Sequence, residues 1–123
     1  MASRPLIAPH KVIDAHSLAS SFNSEVTIVS NVPTLSYDIS WAGSSPVGTL
    51  EVQVSNTYTV NARGEVKDPG VWRTLPSMSA AVSGNTGEGG VDIYVTGFYA
   101  VRLAYTATSG TGTMDATVVA KVL

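Results

Sequence analysis

The sequence predicts an all-β fold: a single antiparallel β-sandwich, jelly-roll or immunoglobulin-like, with an extended N-terminal arm. Three observations lead there. Apolar and polar residues alternate with a period of two in several short runs, TLSYDISW and TLEVQVSN being the clearest. Clusters of Gly, Pro, Ser and Asn separate these runs at the spacing of sandwiches and barrels. No stretch keeps a 3.6-residue repeat over three turns. The 123 residues amount to one domain, and charged residues are only 13% of them, so Ser, Thr and Gly supply the polarity. That composition suits strands joined by tight turns.

Taken in order, residues 1–20 read as an arm preceding a sandwich domain over 21–123. Pro5 and Pro9 interrupt any helix, and LIAPHKVIDAHSL holds apolar residues without a steady period. Such an arm adds a strand to a sheet or docks on a neighbour; a mobile tail is the competing reading. EVTIVS suggests a short strand stopped near Asn31 and Pro33. In TLSYDISW, Leu35, Tyr37, Ile39 and Trp41 share the apolar face. AGSSPVG reads as a turn cluster, leading through a hairpin or a sheet-to-sheet connection to a strand with Leu50, Val52 and Val54 inward.

Residues 57–70, TYTVNARGEVKDPG, form the longest polar excursion, an exposed loop ending in a turn at Asp68–Pro69–Gly70. VWRTL follows as a short strand centred on Trp72, and SMSAAVSGNTGEGG runs into a glycine-rich loop at 84–90. VDIYV and FYAVRLAYTAT are the next strands, with Gly97 between them marking a bulge or corner. Tyr99, Val101, Leu103 and Tyr105 share one face, and Arg102 lies on the other. SGTGT, residues 109–113, reads as a hairpin turn with Gly110 and Gly112 in positive φ. The closing strand turns Met114, Ala116, Val118 and Ala120 to one side. The expected shared core is Tyr37, Ile39, Trp41, Val52, Val54, Val101 and Leu103.

Charge and motif content narrow the chemistry. A net charge of −2, with seven Lys and Arg scattered along the chain, argues against nucleic acid or an acidic membrane as partner. With no Cys, neither disulfides nor thiolate metal sites are available. MASRPLIAPHKVIDAHS lacks a long apolar core, so it is expected to be neither a signal peptide nor a membrane span, and synthesis is expected in the cytoplasm. His10 and His16 would share a face of a strand, yet no HxH or HExxH supports them, so no metal is expected. GxSxG is absent and both histidines lie in the arm. A carboxylate pair for glycoside hydrolysis would have to be assembled by folding alone. The expectation is therefore a non-enzyme, without catalytic residues or cofactor.

Two loops hold the candidate ligand-binding residues. In GNTGEGGVD, the glycines lack the lysine and spacing of a phosphate loop. Asn85, Glu88 and Asp92 offer oxygens to calcium without the EF-hand spacing, and a flexible surface loop is the favoured reading. Trp72 and Tyr58, beside the polar loop, form a candidate exposed pair for stacking on a sugar, although core packing is the favoured reading. The candidate site residues are thus Tyr58, Trp72, Asn85 and Glu88, on loops 57–70 and 84–90 and not on 109–113.

The progression GTLEVQVSN, polar loop, VWRTL, Gly-rich loop, FYAVRLAYTATSGTGTMDATVVAK, spanning residues 48–121, resembles small β-sandwich structural proteins of tailed bacteriophages. The resemblance implies a virion component: a head decoration, a head or tail fibre domain, or another surface appendage. It also implies multi-copy assembly with copies of itself, most simply a homotrimer, and with other virion proteins. A host-surface glycan is a further possible partner. Leu6, Ile7, Val12, Ile13 and Leu18 in the arm, open sheet edges and sparse charge all favour contacts between subunits. A carbohydrate-binding module using the aromatics near 57–72 is the alternative, and an inhibitor or adhesion domain working through its loops a third.

Overall fold

Runs of β-branched and aromatic residues in period two demand partners for their backbone groups, and here they find them almost wholly in one sheet. A computed structural model describes residues 5–29, 34–94 and 98–121. Its strands are β1 (Pro5–Ser17), β2 (Phe22–Asn23), β3 (Thr27–Ile28), β4 (Thr34–Ser55), β5 (Thr59–Val60), β6 (Val66–Asp68), β7 (Arg73–Val82), β8 (Thr86–Tyr94) and β9 (Ala100–Lys121). There is no helix among the described residues. All pairings are antiparallel. The all-β class and antiparallel pairing expected from the sequence hold.

The axis of the fold is the ladder between β4 and β9, each 22 residues long. The first half of β4 pairs with the second half of β9 and is flanked by β1 and β8. The second half of β4 pairs with the first half of β9 and is flanked by β7, β2 and β3. Leu35, Tyr37 and Ile39 from one half and Leu50, Val52 and Val54 from the other belong to a single buried cluster. The seven-stranded sheet thus folds over one core, in keeping with a sandwich whose layers belong to one hydrogen-bonded sheet.

The fold-over is made by local backbone irregularity. The β4–β9 register breaks between Ser44 and Val47 and again between Val47 and Gly48. Ser45 sits at φ +50° and Gly110 at φ +80°. Any Cβ on Gly110 would run into the Ser45 carbonyl. SGTGT is therefore not a hairpin turn, and AGSSPVG is not a turn between separate strands. Both are corners inside continuous strands, because bulges let a strand bend without giving up its ladder. FYAVRLAYTAT and the closing run are accordingly one strand.

Two further segments differ from expectation. VWRTL is no short strand centred on Trp72, since β7 starts at Arg73 and continues to Val82. The glycine-rich segment 84–90 is not a flexible loop. Only Gly84 and Asn85 turn, and Thr86–Gly90 are extended in β8, paired with β4. The polar excursion 57–70 does stand exposed and carries the small β5–β6 hairpin. The expected stop at Asn31 and Pro33 and the corner at Gly97 fall outside the described residues.

Of the expected core, Tyr37, Ile39, Val52, Val54, Val101 and Leu103 are buried, while Trp41 is half-buried and packs against them. Among the described residues the buried Tyr37 hydroxyl, though near the Thr27 side chain, has no partner in hydrogen-bond geometry. Burial pushes its pKa up, and the Thr27 side chain offsets part of that rise. The arm segment Pro5–Ser17 adds an edge strand to the chain's own sheet by pairing with β9. Val12, Ile13 and Leu18 are buried in the chain's own core, so they no longer argue for contacts between subunits.

The β1 edge is tied down electrostatically as well. Ala15 N donates to Asp115 Oδ1 at 2.9 Å, and Lys11 Nζ donates to the same oxygen at 3.2 Å. The Ala15 amide foremost, with Lys11, holds the Asp115 carboxyl below its ordinary 3.8. Asp115, then Asp14, raises the Lys11 ammonium.

Leu103, at 1% exposure, anchors the core from the middle of a β9 segment paired on both edges. Leu103→Ala is expected to cost about 2–5 kcal/mol in urea unfolding. Gly110→Ala is expected to cost about 1–3 kcal/mol, because alanine at that positive φ also meets the Ser45 carbonyl; a neutral result would overturn the corner assignment. A depressed carboxylate pKa stabilises above the unfolded value, and the gain is lost as pH falls through the folded value. Asp115→Asn should therefore lower stability near pH 7 by no more than about 1 kcal/mol, the site being largely solvated. The two unfolding curves should converge as the pH falls below 3.8 and through the depressed folded-state pKa of Asp115, where both side chains become neutral.

Candidate functional site

The two ends of the polar excursion are drawn together at the end of β4, where Val71 N donates to Thr57 Oγ1 at 2.7 Å. Asn61 Oδ1 accepts from the amides of Arg63 and Glu65, at 2.9 and 3.0 Å, and closes the β5–β6 turn. Gly70 N donates to Asp68 Oδ1 at 2.8 Å and shapes the return. This brings Tyr58 and Trp72 together, with ring centroids 5.8 Å apart and planes at 56°. Both are half-buried. Trp72 Nε1 donates to the Pro69 carbonyl at 2.8 Å, which fixes the indole.

The pair does not form an open, flat platform. The Arg102 guanidinium lies over the Trp72 ring, 4.2 Å from its centroid. Arg102 Nε donates to Gln53 Oε1 at 2.9 Å, and Gln53 Nε2 donates to Thr74 Oγ1 at 3.4 Å. Burial lowers the Arg102 pKa. One indole face is thus taken by a cation of the same chain. The sequence placed Arg102 on the outer face; the stacking depends on the Gln53–Arg102 register, which alternation alone does not specify.

Asn85 and Glu88 are not brought together with the aromatics into one site. Asn85 Oδ1 accepts from Ser45 N at 2.9 Å and from Ser45 Oγ at 3.3 Å, while its own carbonyl accepts from Gly43 N at 2.8 Å. It clamps the β4 corner, a structural use of its oxygens. Glu88 is exposed and lines a shallow groove of about 490 Å³ with Asp38, Ser40, Asp115 and Thr117. The missed members of that groove, Asp38 and Ser40, were legible as the outward positions of TLSYDISW. Among the described residues no three His, Asp or Glu side chains are grouped to hold a metal ion.

The two histidines serve local structure. His10 Nε2 is 3.3 Å from Glu25 Oε1. His16 stacks on Phe22 with centroids 3.7 Å apart, and its Nδ1 donates to the Ser17 carbonyl at 3.0 Å. Register shifts in β1 between Lys11 and Ile13 and between Ile13 and His16 break the even spacing that would have put both on one face.

No protein-family model matches the chain, and no curated protein matches it in sequence. Among solved structures, the chain is similar to the crystal structure of SPBc2 prophage-derived protein YomS, with a TM-score of 0.52 and 19% identity. The likeness covers 97% of both chains. What the two share is the fold, end to end.

Proposed function

We propose that this protein is a non-enzymatic structural component of a bacteriophage virion, made in the host cytoplasm and acting by self-assembly and surface recognition. The observation that carries the reading is the likeness of fold, over 97% of both chains, to a prophage-derived protein. The resemblance of residues 48–121 to small phage sandwich proteins points the same way. A head decoration, a head or tail fibre domain, or another surface appendage fits a low-charge, Cys-free sandwich of this size. Its partners in this reading are copies of itself, as a homotrimer, and other virion proteins. The alternative, a sugar platform at Tyr58 and Trp72, loses support from Arg102, which covers one face of the indole.

Density-purified particles from a culture carrying the gene should contain the protein by mass spectrometry at a fixed ratio to the major capsid protein. Its absence from such particles would overturn the virion reading. Light scattering behind size exclusion should give three times the 12.8 kDa chain mass; a monomer at micromolar concentration would overturn the trimer.

A further inference from the structure

Strand β8 is paired on one side only among the described residues. Its nine residues pair with Thr34–Ala42 of β4 without a register shift. The opposite edge of the same half, β1, contrasts with it. There Pro5, Pro9 and four register shifts blunt the strand, the usual protection of a free edge. Between Thr86 and Tyr94 there is no proline, no lysine and no bulge.

Beside this edge lies a crevice of about 120 Å³ lined by Ile39, Trp41, Leu50, Val82 and Val91. It stays open because Gly89 pairs with Ile39 yet presents no side chain. A Cβ placed on Gly89 would meet no atom within 4 Å. The other face of the edge is acidic. Asp38, Glu88 and Asp92 are exposed, and none forms an ion pair with a cation among the described residues. A free edge supplies main-chain hydrogen bonds, and alternate side chains of an added strand fall on opposite faces.

We infer that β8 is a docking edge for an extended segment of another protein in which apolar and basic residues alternate. An apolar side chain enters the crevice at Gly89, and its neighbours bring Lys or Arg to Glu88, Asp92 and Asp38. A second copy of β8 is a poor occupant, since it would set Glu88 and Asp92 against the same acids. This inference does not depend on the virion reading.

The test uses the whole chain, isotope-labelled, and a capped eight-residue peptide alternating lysine and valine. Amide shifts and hydrogen-exchange protection should map to 86–94, and binding should weaken as salt is raised. A glutamate–valine peptide should bind about tenfold more weakly or not at all, as should the lysine–valine peptide with Glu88→Lys. Gly89→Val, which fills the crevice, should also weaken binding about tenfold while the protein's amide spectrum stays folded. Should Gly89→Val fail to fold, Glu88→Lys, a surface change, still decides. No perturbation of β8 at millimolar peptide, equal binding by both variants, or protection of β8 by self-association alone would overturn the inference.

Discussion

Everything in this fold rests on two bulges that compensate each other. Inward residues on β4 are odd-numbered from Leu35 to Ile39 and even-numbered from Leu50 to Val54. On β9 they are odd-numbered from Val101 to Tyr105 and even-numbered from Met114 to Ala120. A single extra residue inverts the faces of a strand. Each strand takes one such residue near the corner, so both invert there and the ladder resumes in its original register, as Ser44↔Thr111 and Gly48↔Ala107 attest. With only one bulge, one strand would turn its apolar face to water over half its length. The positive φ of Ser45 and Gly110, and the clamp from Asn85, hold this arrangement in place.

The same mechanism explains what the sequence disclosed and what it did not. Alternation within each run was legible, and it assigned Tyr37, Ile39, Val52, Val54, Val101 and Leu103 to the interior. A phase jump in alternation, flanked by Gly and Ser, is however the signature of both a hairpin turn and a bulged corner. AGSSPVG and SGTGT carry that ambiguity. It is resolved by which strands pair across long separation, which local pattern does not encode. Thr86–Gly90 misled for a related reason. Three glycines look like a loop when their neighbour in space, Trp41, is not known.

At the candidate site, proximity was legible and function was not. A polar excursion flanked by Tyr58 and Trp72 must bring its ends together, so their contact follows from the strands around them. Whether the indole face is open depends on Arg102, thirty positions away and placed by the β4–β9 register. Asn85 has a side-chain amide suited equally to a ligand or to a backbone clamp, and the corner takes it.

Gly87 shows how the corner, the edge and the surface chemistry are connected. Any side chain there would collide with the Trp41 indole, which lies across the strand and donates to the Ser83 carbonyl at 3.3 Å. Glycine in a strand costs about 0.5–1 kcal/mol relative to alanine through lost backbone freedom. Here that cost is offset by the large apolar ring it admits, which packs against the core at the margin of the sheet. The same economy of side chains leaves β8 flat and its inner face uncovered next to Gly89. β1 is blunted by prolines and register shifts, whereas β8 has neither and carries its charge, Glu88 and Asp92, on its outer face. The asymmetry between the two edges is therefore a property of the sequence, set by where its prolines and glycines fall.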